Sequence, residues 1–225
     1  MVLSSTVDSE NRRGVSRSDQ AYRFIVEGIR EGRFIPGTRL REIELATQMG
    51  LSRTPVREAL GRMQVQGLAV NDPDRGLIVT EPDYSMTSEL YAMREVLEGT
   101  AARLAARHAS DVEIEFLNEI NQRDALLTTP KELSANNRLF HETLYQCAHN
   151  RYLLKTLNSL QESMMLLGPT TLASPGRAEK ARQEHQALVD ALQRRDPDTA
   201  EAAARAHIIS AYRIRLDSLL LPPSS

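Results

Sequence analysis

The feature that most constrains this chain is a change of hydrophobic period near residue 67. Before it, apolar residues recur at helical spacing; after it, two short apolar runs flank the turn-forming stretch Asp72-Pro73-Asp74-Arg75-Gly76. Tyr22, Ile25, Val26 and Ile29 make one i, i+3, i+4, i+7 stripe, which Ser18 or Asp19 is placed to cap and Gly32 to stop. Pro36-Gly37 predicts a turn, and a short helix follows near Glu42–Met49, ended by Gly50 as a left-handed C-cap. Ser52 or Thr54 can cap a third helix, with Pro55 in its first turn and Val56, Ala59, Leu60 and Met63 facing inward up to Gly67. Strands are predicted at Leu68–Asn71 and Leu77–Thr80. Three helices followed by a hairpin, with a glycine turn between the second and third, predict a winged helix-turn-helix over residues 18–80.

The rest of the chain reads differently. Residues 1–17 are polar and aperiodic, a disordered arm whose Arg12, Arg13 and Arg17 are read as solvated with phosphate contact as the alternative, and residues 81–84 form a linker. From residue 85 to 220 only helical signals appear. The first helix opens at Ser85 or Thr87 and runs through Leu90, Met93, Val96, Leu97, Ala101, Leu104 and Ala105. A second opens at Asp111 with Ile114, Leu117 and Ile120 inside, a third spans Pro130–Ala148, and a fourth runs from Arg151 to Leu167, broken by Gly168-Pro169. Arg177–Arg194 and Asp198–Leu220 complete the set. The expected fold is mainly α: an N-terminal winged helix-turn-helix plus a C-terminal all-α antiparallel helical bundle.

Charge and composition narrow the function less than pattern does. The net charge is −2, but residues 1–80 carry 12 Arg/Lys against 10 Asp/Glu, and residues 81–225 carry 16 against 20. Cys147 is the single cysteine, so no intrachain disulfide can form. The N-terminus lacks the pattern of a signal peptide and no apolar run approaches the roughly 20 residues that span a bilayer, so a cytoplasmic protein with no membrane partner is expected.

Two surfaces carry chemistry. On the third helix Arg53, Arg57 and Gln64 lie about a quarter-turn from the core stripe, at about 100° per residue, free to enter a major groove. The planar fork of arginine matches O6 and N7 of guanine. Ser52, Thr54 and the N–H groups at the helix start can hold phosphates, and Arg75 and Gly76 at the wing tip can reach the backbone or minor groove. Further along, Asn137 and His141 are i, i+4 on one helix, and His185 and His207 each stand eleven residues from Asp196. If the last two helices fold back at Asp196-Pro197, three imidazoles and an amide oxygen converge, a donor set suited to Zn, Ni, Fe or Cu. Spacing alone leaves open that these are unrelated polar residues of an alanine-rich bundle. A hydrolase built on them lacks a base: Glu142 and Glu184 adjoin His141 and His185 in sequence and so point about 100° away, and no His-Asp dyad is evident. Cys147 reads as a small buried hydrophobe.

The motifs also resemble a known family. Pro36-Gly37-Thr38-Arg39-Leu40, Glu44-Leu45-Ala46, Ser52 through Leu60, Gly67-Leu68 and Arg75-Gly76 are similar to GntR-family bacterial repressors. Met93-Arg94-Glu95-Val96-Leu97-Glu98, Asn137 through His141, Glu184 through Leu188 and Ala206-His207-Ile208 resemble the FCD effector domain of its FadR-type members, and six helices point to the VanR-like branch. The resemblance implies a homodimer on a short inverted-repeat DNA operator, with Arg53 and Arg57 on bases. It implies a divalent metal, zinc or nickel, at Asn137, His141, His185 and His207, and a small carboxylate effector. Arg94 on the first helix of this domain is either a bidentate partner of that carboxylate or one half of an interhelical salt bridge. The family usually has Asp where this chain has Asn137, which leaves the site more positive and so weaker for metal but better for an anion. Two variants of this reading remain: the metal is itself the signal, or it is only structural.

Overall fold

The computed structural model describes residues 16–168 and 170–220, the side chains of 219 and 220 excepted. The order is α1 (Arg17–Arg30), α2 (Glu42–Met49), α3 (Arg53–Val65), β1 (Ala69–Asp72), β2 (Gly76–Val79), α4 (Tyr84–His108), α5 (Asp111–Arg123), α6 (Pro130–Cys147), α7 (Arg151–Met164), α8 (Arg177–Gln193) and α9 (Pro197–Leu220). The chain divides into two compact units between Glu81 and Pro82. Most of the expected arm, residues 1–15, and Pro169 lie outside the described residues.

The first unit is a winged helix-turn-helix. Its cap is Ser16, ahead of the expected Ser18 or Asp19: the Ser16 hydroxyl accepts from the Asp19 N–H at 3.0 Å, so Arg17 is helical rather than part of an arm. Tyr22, Ile25, Val26 and Ile29 of α1 and Val56, Ala59, Leu60 and Met63 of α3 are all buried, as their spacing requires. Gly50 ends α2 at φ 63°, a conformation that costs any residue with a Cβ. The strands pair antiparallel from Ala69↔Val79 to Asp72↔Gly76. Both sit one position closer to the turn than the apolar pattern suggests. Asp72 is the reason: its carboxylate accepts from the N–H groups of Asp74 and Arg75 at 3.0 and 2.8 Å, and Gly76 at φ 75° lets the chain reverse there. Arg39 adds a bridge to Ile78 that no sequence signal predicts.

The second unit contains helices α4 to α9 and, among the described residues, no strand. Asp83, not Ser85 or Thr87, caps α4, accepting from the Met86 N–H at 2.7 Å. Ser110 with Glu113 and Thr129 with Glu132 form reciprocal capping boxes on α5 and α6. Between α8 and α9, Arg195 takes a left-handed conformation at φ 55° and Asp196 accepts from the Thr199 N–H, which closes the antiparallel hairpin. The core joins Leu117, Ile120, Phe140, Leu144, Leu188 and Leu192. Alanines 101, 105, 200 and 204 belong to the same cluster on α4 and α9, where small side chains admit close helices. An expectation about packing also fails. Met93 and Val96, read as inward on α4, are 48% and 46% exposed, while Arg94 and Glu98 are buried in their place. The inner face of α4 is interrupted mid-helix by Arg94 and Glu98, where a cluster of ionisable side chains lies against it; before them Tyr91 joins a second apolar cluster with Ile208 and Ala211.

Candidate functional site

The cluster against α4 is built from four helices. His141 comes from α6, His185 from α8 and His207 from α9, and all three are buried. Ring centroids stand 5.3 Å apart for His141 and His185, 5.2 Å for His141 and His207, and 4.6 Å for His185 and His207. One nitrogen from each lies within 4.8 Å of the others. The hairpin at Asp196-Pro197 does bring His185 and His207 to one height. Phe140 stacks on His185 at 4.0 Å and 13°, which fixes that ring's plane. Asn137 lies one turn before His141 on α6 and is half-buried.

Two arginine–glutamate–histidine chains support the cluster. Arg94 donates from Nε to Glu98 Oε1 at 2.7 Å, and Glu98 Oε2 lies 2.8 Å from His141 Nδ1, although off the line of a hydrogen bond. Arg177, only 2% exposed, donates to Glu184 Oε2 at 2.8 Å, and the same oxygen stands 2.8 Å from His207 Nδ1. A carboxylate only accepts, so the neutral His207 ring carries its proton on Nδ1 and keeps its lone pair on Nε2. Sequence reasoning missed both carboxylates. Glu184 does point away from its neighbour His185, but that direction leads to α9 and His207.

Burial sets the protonation states. It drives His185 well below the usual imidazole range and His207 down to about 4, where Glu184 only partly opposes it. Both rings are therefore neutral at pH 7, the form that ligates metals. Burial alone raises Glu98 and Glu184, but Arg94 and His141 together outweigh it for Glu98, and the His207, Ser210 and Arg177 contacts hold Glu184 at about 2. Nε2 of His141 and Nε2 of His185 are buried without a hydrogen-bond partner. Leaving such groups unmatched costs roughly 1–3 kcal/mol each. Three buried imidazoles with converging nitrogens, those of His185 and His207 neutral, fit a divalent cation.

The first unit presents the other predicted residues. Ser52, Arg53, Thr54, Arg57 and Gln64 are exposed on or beside α3, and Ser52, at the N-cap, makes no side-chain cap bond. Arg75 at the wing tip pairs with Asp72 at 2.8 Å and Glu81 at 2.7 Å beside the half-buried Gly76.

Residues 17–79 match the family described as bacterial regulatory proteins, gntR family, and residues 89–210, more than half the chain, match the FCD domain. The chain belongs to the GntR family of regulators that carry an FCD domain. It is similar to the "Probable D-xylose utilization operon transcriptional repressor" of Paenarthrobacter nicotinovorans, 34% identical over 85% of each chain. It is also similar to the Nta operon transcriptional regulator of Aminobacter aminovorans, 34% identical over 78% of this chain and 83% of that one. The fold matches the E. coli structure titled McbR/YncC, with a TM-score of 0.77 at 23% identity, covering 92% of this chain and all of the other. The matched families and relatives are transcriptional regulators, not enzymes. Among the described residues of this GntR-family regulator no helix is long and apolar enough to cross a membrane.

Proposed function

We propose that this regulator is a repressor that binds an inverted-repeat operator as a homodimer and responds to a small carboxylate taken up beside a divalent metal in its helical domain. The observation that carries the reading is the convergence of three buried histidines, two of which, His141 and His185, hold an Nε2 with no hydrogen-bond partner. His141, His185 and His207, with Asn137, would hold the metal. Zinc or nickel suits neutral imidazole. When bound, the metal supplies Lewis-acid attraction for an anionic oxygen. Glu184 orients His207, and Glu98 lies against His141. Arg94 is engaged by Glu98 through Nε and lies over Tyr91, so it meets a carboxylate only with N–H groups outside that bond.

On the DNA side, Arg53, Arg57 and Gln64 read bases in the major groove, Ser52 and Thr54 contact phosphates with the α3 N-terminus, and Arg75 and Gly76 bring the wing to the backbone. The free Ser52 hydroxyl and the exposure of all these side chains but Gly76 support this. The exposed Met93 and Val96 on α4 supply an apolar face for a second copy. Repression agrees with the printed name of the Paenarthrobacter relative. Effector control follows from differential affinity for two states of the dimer.

Metal content of the purified protein tests the reading, with operator affinity followed in parallel. About one equivalent per chain in wild type, lost in His185→Ala, is expected, as is a change of operator affinity when carboxylates are added to the loaded protein. Wild-type protein that takes up no zinc or nickel, yet binds its operator, would overturn the metal centre and leave the DNA reading standing.

A further inference from the structure

The two arginines of the reading helix are not independent. Arg57 donates Nε to Glu42 Oε1 at 2.8 Å and Nη2 to Oε2 at 2.9 Å, a bidentate pair, and Arg53 Nη2 donates to the same Oε2 at 3.2 Å. Glu42 is the first residue of α2, where the helix dipole favours a carboxylate. Its side chain is 27% exposed against 59% for Arg53 and 65% for Arg57, so the anion is the more buried partner. The Arg57 and Arg53 hydrogen bonds hold Glu42 at about 2, fully ionised at neutral pH.

This arrangement is poorly explained by stability, since exposed ion pairs contribute little. It is also costly for simple DNA affinity, because it sets a negative charge on the face that approaches a polyanion. It is well explained by geometry. The edge of the Arg57 fork formed by Nε and Nη2 is occupied by Glu42. The edge formed by Nη1 and the second N–H of Nη2 remains, and that edge matches O6 and N7 of guanine. Arg75 at the wing is likewise paired, but through a different edge for each of two carboxylates.

We infer that Glu42 is a specificity-determining residue of the DNA interface: it fixes the plane of the Arg57 guanidinium and restrains Arg53, favouring a guanine edge over any phosphate in reach. The inference rests on the reading of α3 as the base-contacting helix. It assigns Glu42 a positioning role rather than a contact with DNA.

The full-length protein is first used to select a consensus from a random duplex pool, and the selected duplex is compared with a scrambled duplex of equal composition. Glu42→Gln removes the charge and keeps an acceptor; Glu42→Asp keeps the charge and withdraws it by one methylene; Arg57→Ala is the control. For Glu42→Gln, tighter binding to scrambled DNA is expected, with a salt slope steeper by about one. Its selected-to-scrambled ratio should fall by roughly tenfold or more. Glu42→Asp should lose the ratio without gaining scrambled-DNA affinity. An unchanged ratio in both Glu42 variants, with Arg57→Ala impaired, overturns the inference alone. An unchanged ratio in Arg57→Ala, or failure of wild type to select any consensus, overturns the reading of α3 itself and the inference with it.

Discussion

Glu184 shows how much a single side chain can organise. It takes a hydrogen bond from the buried Arg177 and stands 2.8 Å from His207 Nδ1, so it compensates one charge and sets one tautomer. On the metal-binding reading, Glu184→Gln keeps an acceptor but loses the charge that raises the basicity of His207. Chelator competition should show metal affinity lower by roughly 10- to 100-fold, the range typical for such outer partners. The same change leaves Arg177 without an anion, and a thermal melt should show destabilisation on the order of 3 kcal/mol, as for other broken buried pairs. An unaltered metal affinity would mean that Glu184 serves Arg177 only. Cys147, by contrast, is buried, its thiol pushed up to about 12 by desolvation, in keeping with a packing residue.

At the scale of elements, punctuation residues were the legible part and register the illegible part. Gly50, Gly67 and Gly76 all take positive φ where the chain must turn, as their positions between apolar runs suggest. A Cβ built on Gly50 meets nothing within 4 Å, so the cost of substitution there is backbone strain alone. Gly50→Ala is therefore expected to destabilise the winged helix-turn-helix by about 1 kcal/mol, read as a lower denaturation midpoint. A much larger loss would point to contacts the strain argument omits. Caps were less legible. Ser16 and Asp83 cap α1 and α4 although Ser18, Asp19, Ser85 and Thr87 offer the same chemistry nearby. Local propensity cannot choose among adjacent cap residues; the packing of the helix that follows decides.

For the whole molecule, the buried Arg94 and Glu98 in the middle of α4 are the informative departure. A stripe of Met93, Val96 and Leu97 reads as core, yet Met93 and Val96 are about half exposed. In a homodimer such a face meets a second copy. Val96→Asp is expected to shift the protein from dimer to monomer by light scattering and to weaken binding to a two-half-site operator more than to one half-site. A dimer unchanged by Val96→Asp would place the interface elsewhere.

The sequence by itself determined the order of helices, the hairpin wing, the helical bundle and the candidate reading face of α3. These follow from period, turn residues and angular offset along one helix, all of which are local. It also brought His185 and His207 to one level, because equal offsets from a tight turn impose equal heights. Tertiary structure alone decided which groups answer those side chains: Glu98 and Arg94 beside His141, Glu184 and Arg177 beside His207, and Glu42 on both Arg53 and Arg57. The reason is geometric. A helical offset gives the direction in which a side chain leaves its own axis, but the identity of whatever stands in that direction depends on helix crossings made by residues far away in the chain.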